Sequence, residues 1–317
     1  MKVTEHIKNS EHTLFTIELL PPLKGDNINA IYQAIDPLIE FGPSYINVTY
    51  HQEEVVYKQR NNGLLEKQVI RKRPGTVAIA AAIRFKYGID VVPHMICGGF
   101  SPQETEDGLI DLNFLGIDNV LALRGDAPKN EKSFVNASGG HVHASDLVSQ
   151  ISRLNKGIYM EDDLLISSPL NFCVGVAGYP EKHSESPNIE IDLQHLKEKV
   201  DAGADYIVTQ LFYDNNKYFK FVERCREIGI SVPIIPGLKP ISVKNHLTIL
   251  PSIFSIDVPM DLVSEVNKCK DNTQVRQVGI EWAIQQSKEL MEYGVPALHF
   301  YTMGKSDNVC KIAKAIF

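Results

Sequence analysis

Short apolar runs rich in valine, isoleucine and aromatics alternate along this chain with longer amphipathic stretches, and that alternation constrains the fold more than anything else in it. The runs are 14–20, 45–50, 91–97, 120–123, 172–177, 206–212, 233–238 and 297–302. Each is as long as a strand and apolar on both faces, as a parallel strand covered by helices must be. Between them, helical spacing is expected over 28–41, 76–87, 102–115, 144–154, 191–202, 215–228, 273–293 and 309–316. Ser101 and Glu104 have the spacing of a capping box at the start of the third. Eight strands separated by helices predict an α/β fold, a single (β/α)8 TIM barrel over residues 1–317. An open doubly wound sheet with an added helical region is the alternative. No composition break or Pro/Ser linker divides the chain, and no internal repeat is present.

Charge and cysteine content exclude several classes of function. The 32 basic residues against 39 acidic ones form no basic stripe, so nucleic acid is not an expected partner. The 5 cysteines are scattered without C-x-x-C spacing, which fits a reduced compartment and no metal site. The polar start, MKVTEHIKNSEHT, does not read as a signal peptide, and no apolar run reaches membrane length. A cytoplasmic location is expected, with no membrane partner. Absent too are G-x-G-x-x-G after a strand, G-x-x-x-x-G-K-[ST] and G-x-S-x-G. A nucleotide cofactor would therefore have to be held by barrel loops.

The strand ends carry the residues that could do chemistry. A barrel builds its site at the C-terminal ends of its strands. There the sequence places Glu18, Asn47, Thr49, His94, Arg124, Gly125, Asp126, Tyr179, Thr209, Gln210, His299 and Tyr301, with His183 in a following loop. Glu18 lies between Ile17 and Leu19, and desolvation in such a run is expected to raise its pKa and suit it to general acid work. It could equally be a glutamate paired with a buried cation. In LALRGD, Leu121 to Asp126, an apolar strand runs directly into charge, and Gly125 lets the backbone approach a ligand. Asp126 could also be a turn aspartate beside an arginine, and His94 a hydrogen-bonded structural histidine. Lys197 and Lys199 follow Asp192 on a helix and could meet a pyrophosphate or simply face solvent. The stretches 51–74 and 127–142 are expected to be long loops over the mouth.

These residues sit in phrases that together resemble the methylenetetrahydrofolate reductase family: FTIELLPP, INVTY, PHMIC, LALRGD, VGVAGYPEKHSES, DLQHLKEKVDAGADYIVTQLFYD, IIPGLKPI and LHFYT. They run in order over nearly the whole chain. The resemblance implies a non-covalent FAD at the C-terminal face of the barrel. It implies reduction of 5,10-methylenetetrahydrofolate to 5-methyltetrahydrofolate, with NADH or NADPH and the folate using the same flavin face in turn, by a ping-pong sequence. Glu18 matches the family's general acid, which protonates folate N10. Asp126 matches the aspartate beside the flavin and folate, where its charge would disfavour the anionic reduced flavin. Thr49, His94, Leu123, Arg124, Gly125, Ala144, Tyr179, His183, Asp192 and Lys199 match FAD-contacting positions. Gln210 matches a glutamine that contacts the pterin and the nicotinamide, and Tyr301 borders the substrate.

Departures from the bacterial pattern lie at both ends of the site. His143 stands where a tyrosine beside the adenine is usual, and His195 and Glu198 replace an asparagine and an arginine, as in eukaryotic members. Leu250 replaces a phenylalanine that packs on NADH. Lys305 replaces an arginine and keeps the charge without the bidentate fork. The resemblance ends with the barrel, so the C-terminal regulatory domain of eukaryotic members, and inhibition by S-adenosylmethionine, are not expected. A homo-oligomer is expected. A flavin-free folate-binding methyltransferase and a subunit that takes electrons from a partner protein are the competing readings.

Overall fold

A computed structural model describes residues 1–127 and 134–317. Parallel strands form a nearly closed barrel ringed by helices, as the alternation predicts. Its strands are β1 (Leu14–Leu19), β2 (Tyr45–Val48), β5 (Asp90–Ile96), β6 (Asn119–Leu123), β7 (Cys173–Gly178), β8 (Tyr206–Thr209), β9 (Ile234–Ile235), β10 (Gly237–Leu238) and β11 (Ala297–Tyr301). A separate hairpin supplies β3 (Glu54–Gln59) and β4 (Leu65–Ile70). The barrel order is β10-β11-β1-β2-β5-β6-β7-β8-β9. The run 233–238 thus becomes two short pieces split at Pro236, which has no N–H to donate to a ladder. β9 pairs with β8 and β10 with β11, so the seam of the barrel lies at this proline.

The helices are α1 (Val3–Asn9), α2 (Asn29–Ile35), α3 (Thr76–Tyr87), α4 (Pro102–Phe114), α5 (Ala144–Leu154), α6 (Ile189–Asp201), α7 (Asn215–Glu227), α8 (His246–Phe254), α9 (Met260–Lys268), α10 (Asn272–Tyr293) and α11 (Asp307–Ile316). The expected helix 28–41 is α2 followed by a 3₁₀ segment, Asp36–Phe41, with Pro37 at its start. The capping box forms as expected: Ser101 Oγ accepts from the Glu104 N–H, and the Ser101 N–H donates to Glu104.

Two layers of core hold the barrel. Outside the strands, Ile17, Leu19, Ile46, Val48, Val120 and Phe300 pack against helix residues such as Ile35, Ile83, Leu109 and Leu147. Inside, Tyr45, Val92, Leu121, Cys173, Tyr206 and Ala297 fill the lumen, and Val3 of α1 joins them from the floor. Helix α1 was not anticipated from its polar sequence. It is fixed by tertiary bonds: the Val3 N–H donates to Asn119 Oδ1 at 2.8 Å, and His6 Nε2 meets Asp90 Oδ2 at 2.8 Å.

The stretch 51–74, expected as a loop, is largely the β3–β4 hairpin, with Val55 opposite Val69 and Tyr57 opposite Lys67. Its turn is Asn61–Asn62–Gly63, where Gly63 has φ +77°, and the Asn-Gly pair was the overlooked signal. Part of the expected loop 127–142 lies outside the described residues. Among the described residues no helix is long and apolar enough to cross a membrane, and no cluster of His, Cys, Asp or Glu could hold a metal ion.

Candidate active site

The mouth at the C-terminal ends of the strands gathers titratable side chains around Glu18. Register decides which ones meet. Thr16 lies opposite His299, Glu18 opposite Tyr301 on β11 and opposite Asn47 on β2. Alternation along a strand keeps Thr16 and Glu18 on one face, and likewise His299 and Tyr301. Glu18 Oε2 lies 3.4 Å from His94 Nε2 and 3.8 Å from His299 Nε2, and the three side chains are 13%, 5% and 0% exposed.

A chain of hydrogen bonds orients His299. The Thr16 hydroxyl donates to the Leu298 carbonyl at 3.2 Å, so it can only accept from His299 Nδ1, 2.9 Å away. The Nδ1 proton is thereby assigned, and Nε2 faces Asn47 Nδ2 at 3.4 Å. Tyr301 stands edge-on to His299 and donates its hydroxyl to the Thr209 carbonyl at 2.6 Å. That reach needs Gly237, where a Cβ would stand 2.5 Å from the tyrosine oxygen.

One expectation is corrected here. Burial was expected to raise the Glu18 pKa, and burial is indeed the largest single influence on it. The histidines around it, His299 first and then His94 and His51, together outweigh burial and hold the carboxyl below its ordinary range. The sequence argument missed this because the histidines come from other strands. Burial pushes His94 the other way, down to about 4, against the pull of Glu18. His51 is lowered by burial and by Arg73, while Asp126 and Glu18 both raise it.

The remaining expected residues line the flank beyond Asp126. Asp126 is exposed, and its carbonyl accepts from Gln52 Nε2 at 2.7 Å. Gln52 also lines a cavity of about 430 Å³ with Tyr50, Arg71 and Phe100. Gly125 has φ +87°, so it takes a conformation other residues rarely adopt. Arg124 grips Glu185 through two bonds of 2.7 Å and lies 5.0 Å from the Phe134 ring. Its fork of five donors keeps others free for a ligand. Leu123 is half-buried at the end of β6. Tyr179 packs edge-on against His183 at 4.8 Å, with Lys199 Nζ 5.9 Å from its ring. Lys199 donates to the Ala177 carbonyl at 2.6 Å, and burial lowers it to about 8 against the charge of Asp192. Asp192 accepts from Ser186 Oγ at 2.6 Å. His143 caps α5 ahead of Ala144 and is exposed. His195 is exposed and pairs with Glu198 at 3.2 Å.

Thr49, expected at FAD, and Gln210, Leu250 and Lys305, expected to meet substrate, are dispersed. Thr49 Oγ1 lies 3.3 Å from His51 Nε2, within the mouth. Gln210 is half-buried, and its Oε1 accepts from the Leu211 N–H at 2.9 Å. Lys305 is exposed beyond β11. Leu250 is 4% exposed in a satellite core with Leu211, Ile241 and Leu262, so the surface it would offer a nicotinamide is covered in this structure. Sequence reasoning marks His299 only as a strand-end candidate and passes over His51 and Lys239. Lys239 follows an apolar strand in GLKP as Arg124 does in LALRGD, and that shared pattern could have found it.

Two buried polar atoms at the mouth, His94 Nε2 and Asn47 Oδ1, have no hydrogen-bond partner in the protein. Buried polar groups are normally satisfied, so both suit a polar ligand seated over Glu18. With the tyrosine and histidine of the flank, the arrangement can take a flat polar ring at the mouth and a charged tail along β6 and β7.

Comparison with known proteins agrees over the full length. The family described as Methylenetetrahydrofolate reductase matches residues 2–316. The chain is 33% identical to methylenetetrahydrofolate reductase (NADH) 1 of Arabidopsis thaliana, over 96% of this chain and 48% of that protein. It is 28% identical to a probable methylenetetrahydrofolate reductase (NADPH) of Caenorhabditis elegans, over 98% of this chain and 43% of that protein. It thus spans about half the length of these curated relatives. With 5,10-methylenetetrahydrofolate reductase of Escherichia coli it shares 29% identity over 92% of this chain and 86% of that one. Among solved structures, an uncharacterized protein from Clostridium thermocellum that binds two copies of 5-methyl-5,6,7,8-tetrahydrofolic acid has the same fold, with a TM-score of 0.59 at 15% identity over 99% of this chain and 98% of that one.

Proposed function

The chain belongs to the methylenetetrahydrofolate reductase family, and from that premise we propose that it reduces 5,10-methylenetetrahydrofolate to 5-methyltetrahydrofolate with NADH or NADPH, using FAD in a ping-pong sequence. The observation that carries this reading is the buried carboxylate Glu18 at the C-terminal mouth, 3.4 Å from His94 and 3.8 Å from His299. The unsatisfied atoms of His94 and Asn47 favour a bound cofactor or substrate there. FAD would be held by His94, Thr49, Leu123, Arg124, Gly125, His143, Ala144, Tyr179, His183, Asp192, His195 and Lys199, and it would supply the hydride relay between nicotinamide and folate.

The protein's own part is proton delivery and positioning. Glu18 gives a proton to folate N10, opening the five-membered ring to an iminium that can accept hydride. Asp126 keeps negative charge beside the cofactor and helps position the pterin, with Gln210 and Tyr301. Lys305 stands where the folate tail would leave the mouth. His299, locked by Thr16, keeps the Glu18 carboxylate turned into the mouth. The 1–317 barrel is the catalytic unit of this proposal.

The test is direct. The purified chain should bind FAD, oxidise NADH or NADPH with menadione, and convert methylenetetrahydrofolate to the 5-methyl product. A protein that cannot be loaded with FAD would overturn the reading in favour of a flavin-free transferase. Loaded protein that no nicotinamide reduces would favour dependence on a partner.

A further inference from the structure

Glu18 poses a problem that its own environment creates. Its neighbours hold it below the ordinary carboxyl range, so it carries no proton near neutrality. His94 cannot recharge it, because burial keeps that imidazole neutral. A donor in this state needs a second group to refill it.

The geometry supplies one. Leu238 lies opposite Phe300, and Phe300 opposite Ile17. The next residue along each strand is Lys239, Tyr301 and Glu18, so these three form one layer at the top of three adjacent strands. Gly237 lies against the Tyr301 side chain of the neighbouring strand, and Lys239, two residues on, shares its face. Among the described residues the Lys239 side chain makes no hydrogen bond and no ion pair, and the charge that acts on it is that of Glu18.

We propose that Lys239 is the proton reservoir of Glu18, handing its ammonium proton to the carboxylate as substrate closes the mouth. The inference rests on the reading of Glu18 as the acid of a folate reductase. In the transfer an Nζ–H bond breaks and an Oε–H bond forms. The ammonium and carboxylate become an amine and a carboxylic acid, with no change in total charge. Glu18 then protonates folate N10 and returns to carboxylate, and the Lys239 amine takes up a replacement proton from solvent hydronium or a buffer acid, the one proton the reduction consumes. Substrate drives the exchange by expelling water, which disfavours both charged forms at once. The flexible stem of lysine lets the ammonium reach the carboxylate directly or through one water.

The other groups around the pair are less suited. Burial lowers His51 and His246, and it raises Tyr301 so far that the phenol keeps its proton. His299 has its Nδ1 tied to Thr16. Burial, against the pull of Glu18, brings Lys239 down to about 8, charged at neutrality yet able to release its proton.

Two measurements test the proposal. In flavin-free protein with ¹³Cε-labelled lysine, Lys239 should titrate near pH 8, vanish in Lys239→Met, and titrate lower still in Glu18→Gln, which removes the charge that raises it. An unmoved signal in Glu18→Gln would overturn the pairing. In the FAD-loaded enzyme, Lys239→Met should slow flavin reoxidation by methylenetetrahydrofolate on the order of 100-fold, with little change in substrate KM. Lys239→Arg should be as slow, because a guanidinium keeps the charge but not the releasable proton. Wild-type rates in Lys239→Arg, or a loss confined to KM, would refute a reservoir and leave a charge or tail contact. Wild-type enzyme that methylenetetrahydrofolate cannot reoxidise would instead refute the reductase reading and leave the lysine titration standing.

Discussion

The two ends of the barrel use the same kinds of side chain and put them to opposite ends. At the floor, Asp90 accepts from His6 at 2.8 Å, Arg84 at 2.8 Å and the Met1 amino group at 2.9 Å. At the mouth, Glu18 faces His94 at 3.4 Å and His299 at 3.8 Å, with Lys239 nearby and unpaired. Burial pushes both carboxyls up and their partners overcome it, Asp90 ending far below its ordinary range. The difference lies in saturation. Asp90 has short bonds to His6, Arg84 and the Met1 amino group, whereas the mouth keeps unsatisfied atoms on His94 and Asn47. A saturated cluster stabilises a fold; an unsaturated one keeps its bonding capacity for a ligand.

The sharpest way to break this contrast is Glu18→Gln. The folate half-reaction should fall about 10²–10⁴-fold, while oxidation of NADH or NADPH with menadione stays largely intact. Loss of both half-reactions together would remove the specific acid role. The floor should respond in the other currency. Asp90→Ala leaves Arg84 and His6 without their acceptor and should cost about 3 kcal/mol in urea unfolding, with kcat per folded molecule unchanged. A fall in kcat at full stability would dissolve the division between the two ends.

His94 offers a pH test of comparable or smaller size. Its pKa falls from 6.5 to about 4 on folding, so the unfolded chain binds the extra proton first. Stability from this group is whole above 6.5 and is lost as pH falls toward about 4, on the order of 3 kcal/mol across the window. His94→Gln should flatten that part of the pH–stability curve, and an unchanged slope would show that His94 is not the neutral buried group described. Asp126→Asn should have the smallest effect, since water screens an exposed carboxylate. The flavin should become more oxidising and the folate half-reaction on the order of tenfold slower, about 1.4 kcal/mol. An unchanged potential would remove that account of Asp126.

Much of the barrel was legible because period and composition are local. The apolar strands, the capping box at Ser101 and most helices follow from neighbours in sequence. Helix α1 was not legible, because its stability comes from Asn119 and Asp90, over a hundred and over eighty residues away. The 51–74 stretch hid a hairpin whose only plain signal is Asn62-Gly63. In the site, strand-end logic pointed to Glu18, Asp126, Arg124 and Tyr179, and overlooked Lys239 although the same logic covers it. Only the resemblance puts Leu250 where a nicotinamide would pack, and in the structure it is buried.

By itself the sequence determined which residues stand at strand ends and that the strands are parallel, since both depend on the apolar period. Register across strands decided the rest. It set His94, His299 and His51 around Glu18, reversing the direction of a pKa that burial alone would have raised. It also set Lys239 in the layer of Glu18, across more than two hundred residues of chain. Electrostatic environment depends on distances in space, and only the closed barrel makes those distances short.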